Sequence, residues 1–244
     1  MTRSARVAAF VVGGAVSLAT MRGARADAPS GPDETKSAPT KPNIAYVVAA
    51  MGDSLTDPRS HGGLYLDDLK KLCPESRFDS YGKGGEMVNQ MRRRFARDVF
   101  GAGDGKPKYT DVIVFGGVND VYSDLTAGRT PAKIESDLGE MYAAARARGV
   151  RVVAIGIAPW GGFTRYYNAS RHAATVQVNQ WIFGERDAGK VDVAVDPTPL
   201  LTCGDPERLC AGVEPPFHDG IHFGPEGHRR LADALKRQAF KDCR

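Results

Sequence analysis

The sequence predicts an α/β domain, a three-layer α/β/α sandwich around a central five-stranded parallel sheet. Short apolar runs without polar alternation recur along the chain, the pattern of strands buried on both faces. Segments with apolar residues every three or four positions lie between them and predict helices. Glycine, proline or a capping residue marks many of the junctions. Strands alternating with helices imply βαβ units, and therefore a parallel sheet covered on both faces.

The elements follow in order. Ile44 to Met51 (IAYVVAAM) predicts the first strand, which ends at Gly52. Tyr65 to Leu72 places Leu66, Leu69 and Leu72 at helical spacing. Arg77 to Tyr81 predicts a short second strand before the glycine cluster Gly82-Lys83-Gly84-Gly85, and Val88, Met91, Phe95 and Val99 predict a helix after it. Asp111 to Phe115 (DVIVF) is the third strand, running into Gly116-Gly117. Thr130-Pro131 reads as an N-cap with proline in the first turn, where its missing N–H costs nothing. Ile134, Leu138, Met141, Tyr142 and Ala145 form that helix's inner stripe, and Gly149 is a stop signal. Val152 to Ile157 predicts a fourth strand, Ala173 to Arg186 a helix, Val191 to Val195 a fifth strand and Pro225 to Phe240 the last helix. No internal repeat is present.

The first 26 residues stand apart from this pattern. Arg3 and Arg6, an apolar run from Val7 to Ala19, and the small-x-small sequence Ala24-Arg25-Ala26 read as a secretory signal peptide. The run is too short to span a bilayer, so no stable membrane anchor is expected. Arg3 and Arg6 are not adjacent, which argues against a twin-arginine signal, and no cysteine follows the cleavage region to mark a lipoprotein. Residues 27–42 hold four prolines and no large apolar side chain, the composition of a disordered linker. One domain over residues 43–244 is then expected, long enough for a substantial core.

Removing the signal changes the charge argument. Its four arginines take Lys+Arg from 33 to 29, level with the 29 Asp+Glu. The basicity belongs to the export signal, so there is no reason to expect a nucleic acid or an anionic membrane as partner. A secreted or periplasmic monomer is expected. Cysteine usage fits an oxidising compartment. Cys203 and Cys210 lie in a Gly/Pro-containing loop that can close locally, which leaves Cys73 with Cys243. Four cysteines allow three pairings, and spacing does not choose among them. Neither spacing resembles a zinc site.

In parallel sheets the ligand site lies beyond the carboxyl ends of the strands, and three strand ends carry more chemistry than a turn needs. Gly52-Asp53-Ser54-Leu55-Thr56 follows the first strand and puts a serine at the mouth of the site, near a following helix whose N–H groups favour anionic charge. Gly82 to Glu86 follows the second, where glycine lets backbone N–H groups approach a substrate. Gly117-Val118-Asn119-Asp120 follows the third, with an amide able to donate to an oxyanion. A fourth block, Asp219-Gly220-Ile221-His222, precedes the last helix. A carboxylate three residues before a histidine can fix its tautomer and stabilise its protonated form. A serine hydroxyl needs such a base to act as a nucleophile.

Together GDSLT, the glycine block, GVND and DGIH resemble the ordered blocks of the SGNH/GDSL hydrolase superfamily, over about Ile44 to Leu235. Each motif is weak alone, and their order carries the signal. The resemblance implies the flavodoxin-like SGNH hydrolase fold and an exported esterase. Ser54 would be the nucleophile and His222 the base, oriented by Asp219. The oxyanion hole would be the Ser54 N–H, the Gly85 N–H (Gly84 as fallback) and the Asn119 side chain. The substrate would be a small-molecule or glycan ester: short-chain acyl esters, acetylated sugars or lysolipids. No metal or organic cofactor is implied. An O-acyltransferase on the same site is the alternative within enzymes, and a non-catalytic carbohydrate-binding module on the same fold is the alternative outside them.

Other residues have plainer readings. Trp160, at the end of the fourth strand, is a candidate pocket wall, and His61 in its Gly-rich loop a second one. Asp53 and Asp120 read as structural, and His218 as a loop residue. Arg92 to Arg94 with Arg97 read as a solvated helix face. Asn168-Ala169-Ser170 is a glycosylation sequon that matters only in a eukaryotic secretory pathway.

Overall fold

The computed structural model describes residues 44–101 and 109–244. The expected signal peptide and linker, and Asn43, lie outside the described residues. Five strands, β1 (Val47–Gly52), β2 (Arg77–Gly82), β3 (Asp111–Phe115), β4 (Arg151–Ile155) and β5 (Val193–Val195), form one sheet in the order β2-β1-β3-β4-β5. Every neighbouring pair is parallel.

Side chains alternate across the sheet and divide the core into two layers. Val48, Ala50, Ile113 and Phe115 pack with Leu66 and Leu69 of α1 (Leu64–Leu72) and Leu231 and Leu235 of α8 (Pro225–Gln238). Ala49, Met51, Val112 and Val114 turn the other way, against Met91 of α2 (Val88–Phe95), Leu138 and Met141 of α5 (Pro131–Arg146) and Val178 of α6 (Ala169–Asp187). Each fully buried Val, Leu, Ile, Met or Phe side chain contributes roughly 1.5–3 kcal/mol. Burial on both faces is why the strands read as continuous apolar runs.

Boundaries shift where local chemistry outweighs periodicity. The helix expected from Ala173 starts at Ala169, because the Asn168 side chain caps it by accepting the Arg171 N–H at 3.0 Å. The sequon asparagine is thus spent on a cap. The helix expected to run through Val99 is α-helical only to Phe95 and continues as a π-helical turn over Ala96–Phe100. Short helices α3 (Val118–Tyr122), α4 (Asp124–Ala127) and α7 (Thr198–Leu201) add to the expected set. Cys73 bonds Cys243 and Cys203 bonds Cys210, with Cα–Cα distances of 5.3 and 5.0 Å. The first bridge ties the end of α1 to the chain's last residues; the second closes the loop after α7.

The strand order places a topological switch point at β1, whose chain neighbour β2 lies on one side and β3 on the other. The carboxyl ends of β1 and β3 flank the crevice where such sheets bind ligands. Ser54 follows β1 and Asn119 follows β3.

Candidate active site

The turn after β1 is built from its own backbone. The N–H groups of Thr56 and Asp57 donate to the Asp53 carbonyl at 3.1 and 2.9 Å, and the Leu55 N–H donates to Asp53 Oδ1 at 3.0 Å. Asp53 therefore braces the turn. Gly62 lies against the Ser54 carbonyl so closely that a Cβ there would collide with it. The helix expected over Tyr65 to Leu72 is α1 (Leu64–Leu72), but a 3₁₀ turn (Pro58–Ser60) stands between it and Ser54. Any stabilisation of charge near Ser54 falls to individual donors rather than to a helix end.

Ser54 Oγ lies 2.9 Å from His222 Nε2, across 168 residues of sequence. On the other side of the ring, His222 Nδ1 lies 2.6 Å from Asp219 Oδ2. Asp219 Oδ1 accepts the backbone N–H groups of Ile221 and His222 at 2.9 and 2.8 Å, which winds the DGIH block around its own carboxylate. Burial alone would raise the Asp219 carboxyl, but the His222 N–H, the His222 ring and the Ile221 N–H together hold it below its usual value. The block is set in place by Gly220, at φ +77°, where a Cβ would collide with the backbone of Gly162 and Phe163.

Donors converge on the same space from β2 and β3. The Gly84 N–H is already donated to Asp57 Oδ2 at 2.9 Å. Gly85 carries φ +74°, and among the described residues no hydrogen bond ties its N–H. Asn119 donates one N–H of its amide to the Glu86 carbonyl at 2.9 Å, which fixes the amide's orientation and leaves its second N–H unspent by any described partner. Asp120, fully buried, accepts the Val88 N–H at 2.8 Å and an Arg129 N–H at 2.6 Å, locking the start of α2 to the segment after β3.

These groups line one cavity of about 500 Å³, together with Ser60, Tyr122, Phe163, Phe217 and Ile221. Ser54, His222, Asp219, Gly85 and Asn119 are thus brought together from four separate blocks. Three sequence expectations fall elsewhere. Trp160 is 1% exposed, donates to Thr175 Oγ1 at 3.0 Å and packs edge-on against Tyr167, so it belongs to the core. It borders a separate depression of about 310 Å³; the chain turns at Gly161-Gly162 and presents Phe163 to the Ser54 cavity instead. His61 is exposed and lies behind the Phe217 ring, at 6.2 Å, on another depression of about 220 Å³. Arg94 is not on a solvated face but buried. Sequence reasoning missed Tyr122, Phe163 and Phe217; Tyr122 and Phe217 lie two residues from the GVND and DGIH blocks, where an aromatic side chain is a usable signal, and Phe163 lies in the loop after β4, three residues past Trp160.

The arrangement is a parallel α/β/α sandwich with hydrogen-bonded Ser, His and Asp side chains at its switch point. Residues 50–230 match the GDSL-like Lipase/Acylhydrolase family, and the chain belongs to that family. Solved structures agree on the fold. An acetylxylan esterase from Geobacillus stearothermophilus, solved as a catalytic mutant, is 17% identical, with a TM-score of 0.64 over 84% of this chain and 99% of that one. A GDSL-like lipase from Bacteroides thetaiotaomicron is 18% identical, TM-score 0.62, over 79% and 86%. A lipase/acylhydrolase from Enterococcus faecalis is 21% identical, TM-score 0.58, over 79% and 94%. Among curated proteins, none matches the sequence.

Proposed function

We propose that the protein is an exported serine esterase that hydrolyses carboxylic esters through an acyl-enzyme on Ser54. One observation carries the reading: the hydrogen-bonded chain Ser54 Oγ–His222 Nε2 and His222 Nδ1–Asp219, at 2.9 and 2.6 Å, opens on a cavity where no described partner takes the N–H groups of Ser54 and Gly85 or the second amide N–H of Asn119. His222 takes the Ser54 proton as Oγ bonds the ester carbonyl carbon. The N–H groups of Ser54, Gly85 and Asn119 receive the developing oxyanion, an effect of roughly 3–4 kcal/mol per donor in well-studied cases. His222 then protonates the departing alcohol, and a water it deprotonates releases the acid from Ser54. Gly85 rather than Gly84 is the glycine donor, because the Gly84 N–H is held by Asp57.

A cavity of this size, walled by Tyr122, Phe163 and Phe217 without a long apolar channel among its lining residues, suits short acyl groups. The acetylxylan esterase among the structural neighbours makes an acetylated sugar the first substrate to test. Export is supported by the signal-like residues 1–26 and by two disulfides. Among the described residues no helix is long and apolar enough to cross a membrane.

The decisive experiment compares wild type with Ser54→Ala on p-nitrophenyl esters from acetyl to palmitoyl and on acetylated xylan. Fast hydrolysis of the acetyl compounds, lost in Ser54→Ala, is expected. Equal rates for the two proteins on every ester would sink the proposal. Sugar acceptors added to the same assay test for acyl transfer.

A further inference from the structure

We infer that Arg94 and Glu86 are positioning residues for the oxyanion donors, acting together as one clamp across the three strand-end blocks; this rests on the serine-esterase reading above. The helix pattern around Arg94 suggests a solvent-facing cation, yet Arg94 is only 5% exposed. A buried guanidinium is costly unless each side of its fork is matched. Here three of the matches, Glu86, Tyr81 and Gly52, are at or just past the carboxyl ends of β1 and β2, and the fourth, Asp98, lies in the π-helical turn after α2. Arg94 Nε donates to Glu86 Oε2 at 2.6 Å and Nη1 donates to Asp98 Oδ2 at 3.0 Å. Nη2 donates to the Tyr81 carbonyl at 2.7 Å and approaches the Gly52 carbonyl at 3.4 Å.

The geometry connects these partners to the donors. Gly52 closes β1 two residues before Ser54, and its carbonyl also accepts the Lys83 N–H at 3.0 Å, so blocks one and two are stitched at the same oxygen. Glu86 directly follows Gly85, so anchoring the Glu86 carboxylate fixes the direction of the Gly85 peptide. The Glu86 carbonyl in turn holds the Asn119 amide at 2.9 Å. One guanidinium therefore reaches the Ser54 turn through Gly52, the Gly85 peptide through Glu86, and the Asn119 amide through the Glu86 carbonyl. Donors aimed at a developing charge work because they are oriented before it forms, and a misplacement far smaller than a bond contact is enough to weaken them.

A merely stabilising ion pair and a positioning clamp make different demands on kinetics. The test uses Glu86→Gln, which keeps a hydrogen bond but removes the charge, and Arg94→Lys, which keeps the charge but loses the fork. Active sites are counted with a fluorophosphonate, and kcat, KM and the affinity for an aryl boronate are measured, with Ser54→Ala as the reference. The clamp predicts a fall in kcat per titrated site of about 10- to 100-fold, with KM little changed and boronate affinity weakened in parallel, because boronate copies the tetrahedral state. In an Asn119→Ala background, Glu86→Gln should cost less than it does alone. Native kcat per titrated site in Glu86→Gln, or losses that simply multiply with Asn119→Ala, would overturn the clamp. If Arg94→Lys does not fold, Glu86→Gln decides alone. Hydrolysis by Ser54→Ala at the wild-type rate would instead reject the underlying esterase reading, which keeps the two failures apart.

Discussion

Ser54 stands between two regions held by opposite means. On the sheet side, Asn119, Glu86, Arg94, Asp120 and Arg129 form a network in which Asp120, Arg94 and Arg129 are all less than a tenth exposed. On the loop side, Asp219 and His222 keep 40% and 30% of their side-chain surface in solvent and come from a segment without regular secondary structure. The loop is fixed instead by close backbone packing at Gly162 and Gly220, by the Gly161 N–H to Glu207 carbonyl bond at 2.7 Å, and by the Cys203–Cys210 bridge that closes the loop carrying Glu207. The division matches the chemistry proposed for each side. Oxyanion donors must be oriented before charge appears, which favours a rigid, buried frame. A base that passes protons to an alcohol and from water needs access to both, which favours exposure.

This contrast is broken most severely by removing the base. His222→Ala should reduce kcat by about 10⁵- to 10⁶-fold, as loss of a relay member does elsewhere, and should abolish fluorophosphonate labelling of Ser54 while circular dichroism stays native. Retained labelling would show that Ser54 is activated by another group. Asp219→Asn comes next. It presents the wrong hydrogen-bonding group to His222 Nδ1, a change worth about 10⁴-fold where the acid is buried. At 40% exposure water can partly replace the carboxylate, so the loss should be smaller, on the order of 10³-fold by the same scale. A loss as large as that of His222→Ala would mean that exposure does not soften the loop side.

Asn119→Ala probes the sheet side. One donor of an oxyanion hole is worth about 10²- to 10³-fold in kcat, and KM should hardly move because the ground-state ester makes little use of it. The variant also frees the Glu86 carbonyl, so a thermal shift of a few degrees is expected for one lost partly buried hydrogen bond. A rise in KM with unchanged kcat would remove Asn119 from the oxyanion hole.

The two regions also differed in how far sequence could read them. The strands were legible because both faces are buried, so Val48–Met51, Val112–Phe115 and Val152–Ile155 carry uninterrupted apolar runs. The relay residues were legible because they sit at strand ends and before α8, where plain turn residues would otherwise serve. Arg94 was not, since one helical turn of arginines looks solvated until β2 and Glu86 are seen to close over it. Trp160 misled for the complementary reason: its position in the loop after β4 is right for a pocket, but the Gly161-Gly162 turn hands that place to Phe163. Side-chain direction at a turn depends on tertiary packing that periodicity does not encode.

Asp53 lies on the boundary between the regions, beside Ser54 but outside the relay, and it sharpens the comparison through stability rather than rate. It is fully buried, its Oδ2 has no hydrogen-bond partner among the described residues, and burial pushes its carboxyl up to about 7 from an ordinary 3.8. The sign follows from linkage. Below about pH 4 both folded and unfolded chains hold the proton, and Asp53 adds no pH dependence. Between there and pH 7 the unfolded chain ionises while the folded one does not, so stability falls as pH rises, and above 7 the full penalty is present. Asn cannot ionise and escapes it. The unfolding midpoint of Asp53→Asn minus that of wild type should therefore climb from pH 4 to pH 8, by a few degrees for each kcal/mol relieved. Buried His228, pushed down to about 4 by burial, acts with the opposite sign, losing stability as pH falls below 6.5, but it is common to both proteins and cancels in the difference. A midpoint difference that stays flat across this range would show that Asp53 is ionised in the fold, with a partner at Oδ2 such as an ordered water, and that the buried frame of the sheet side extends to the residue before Ser54.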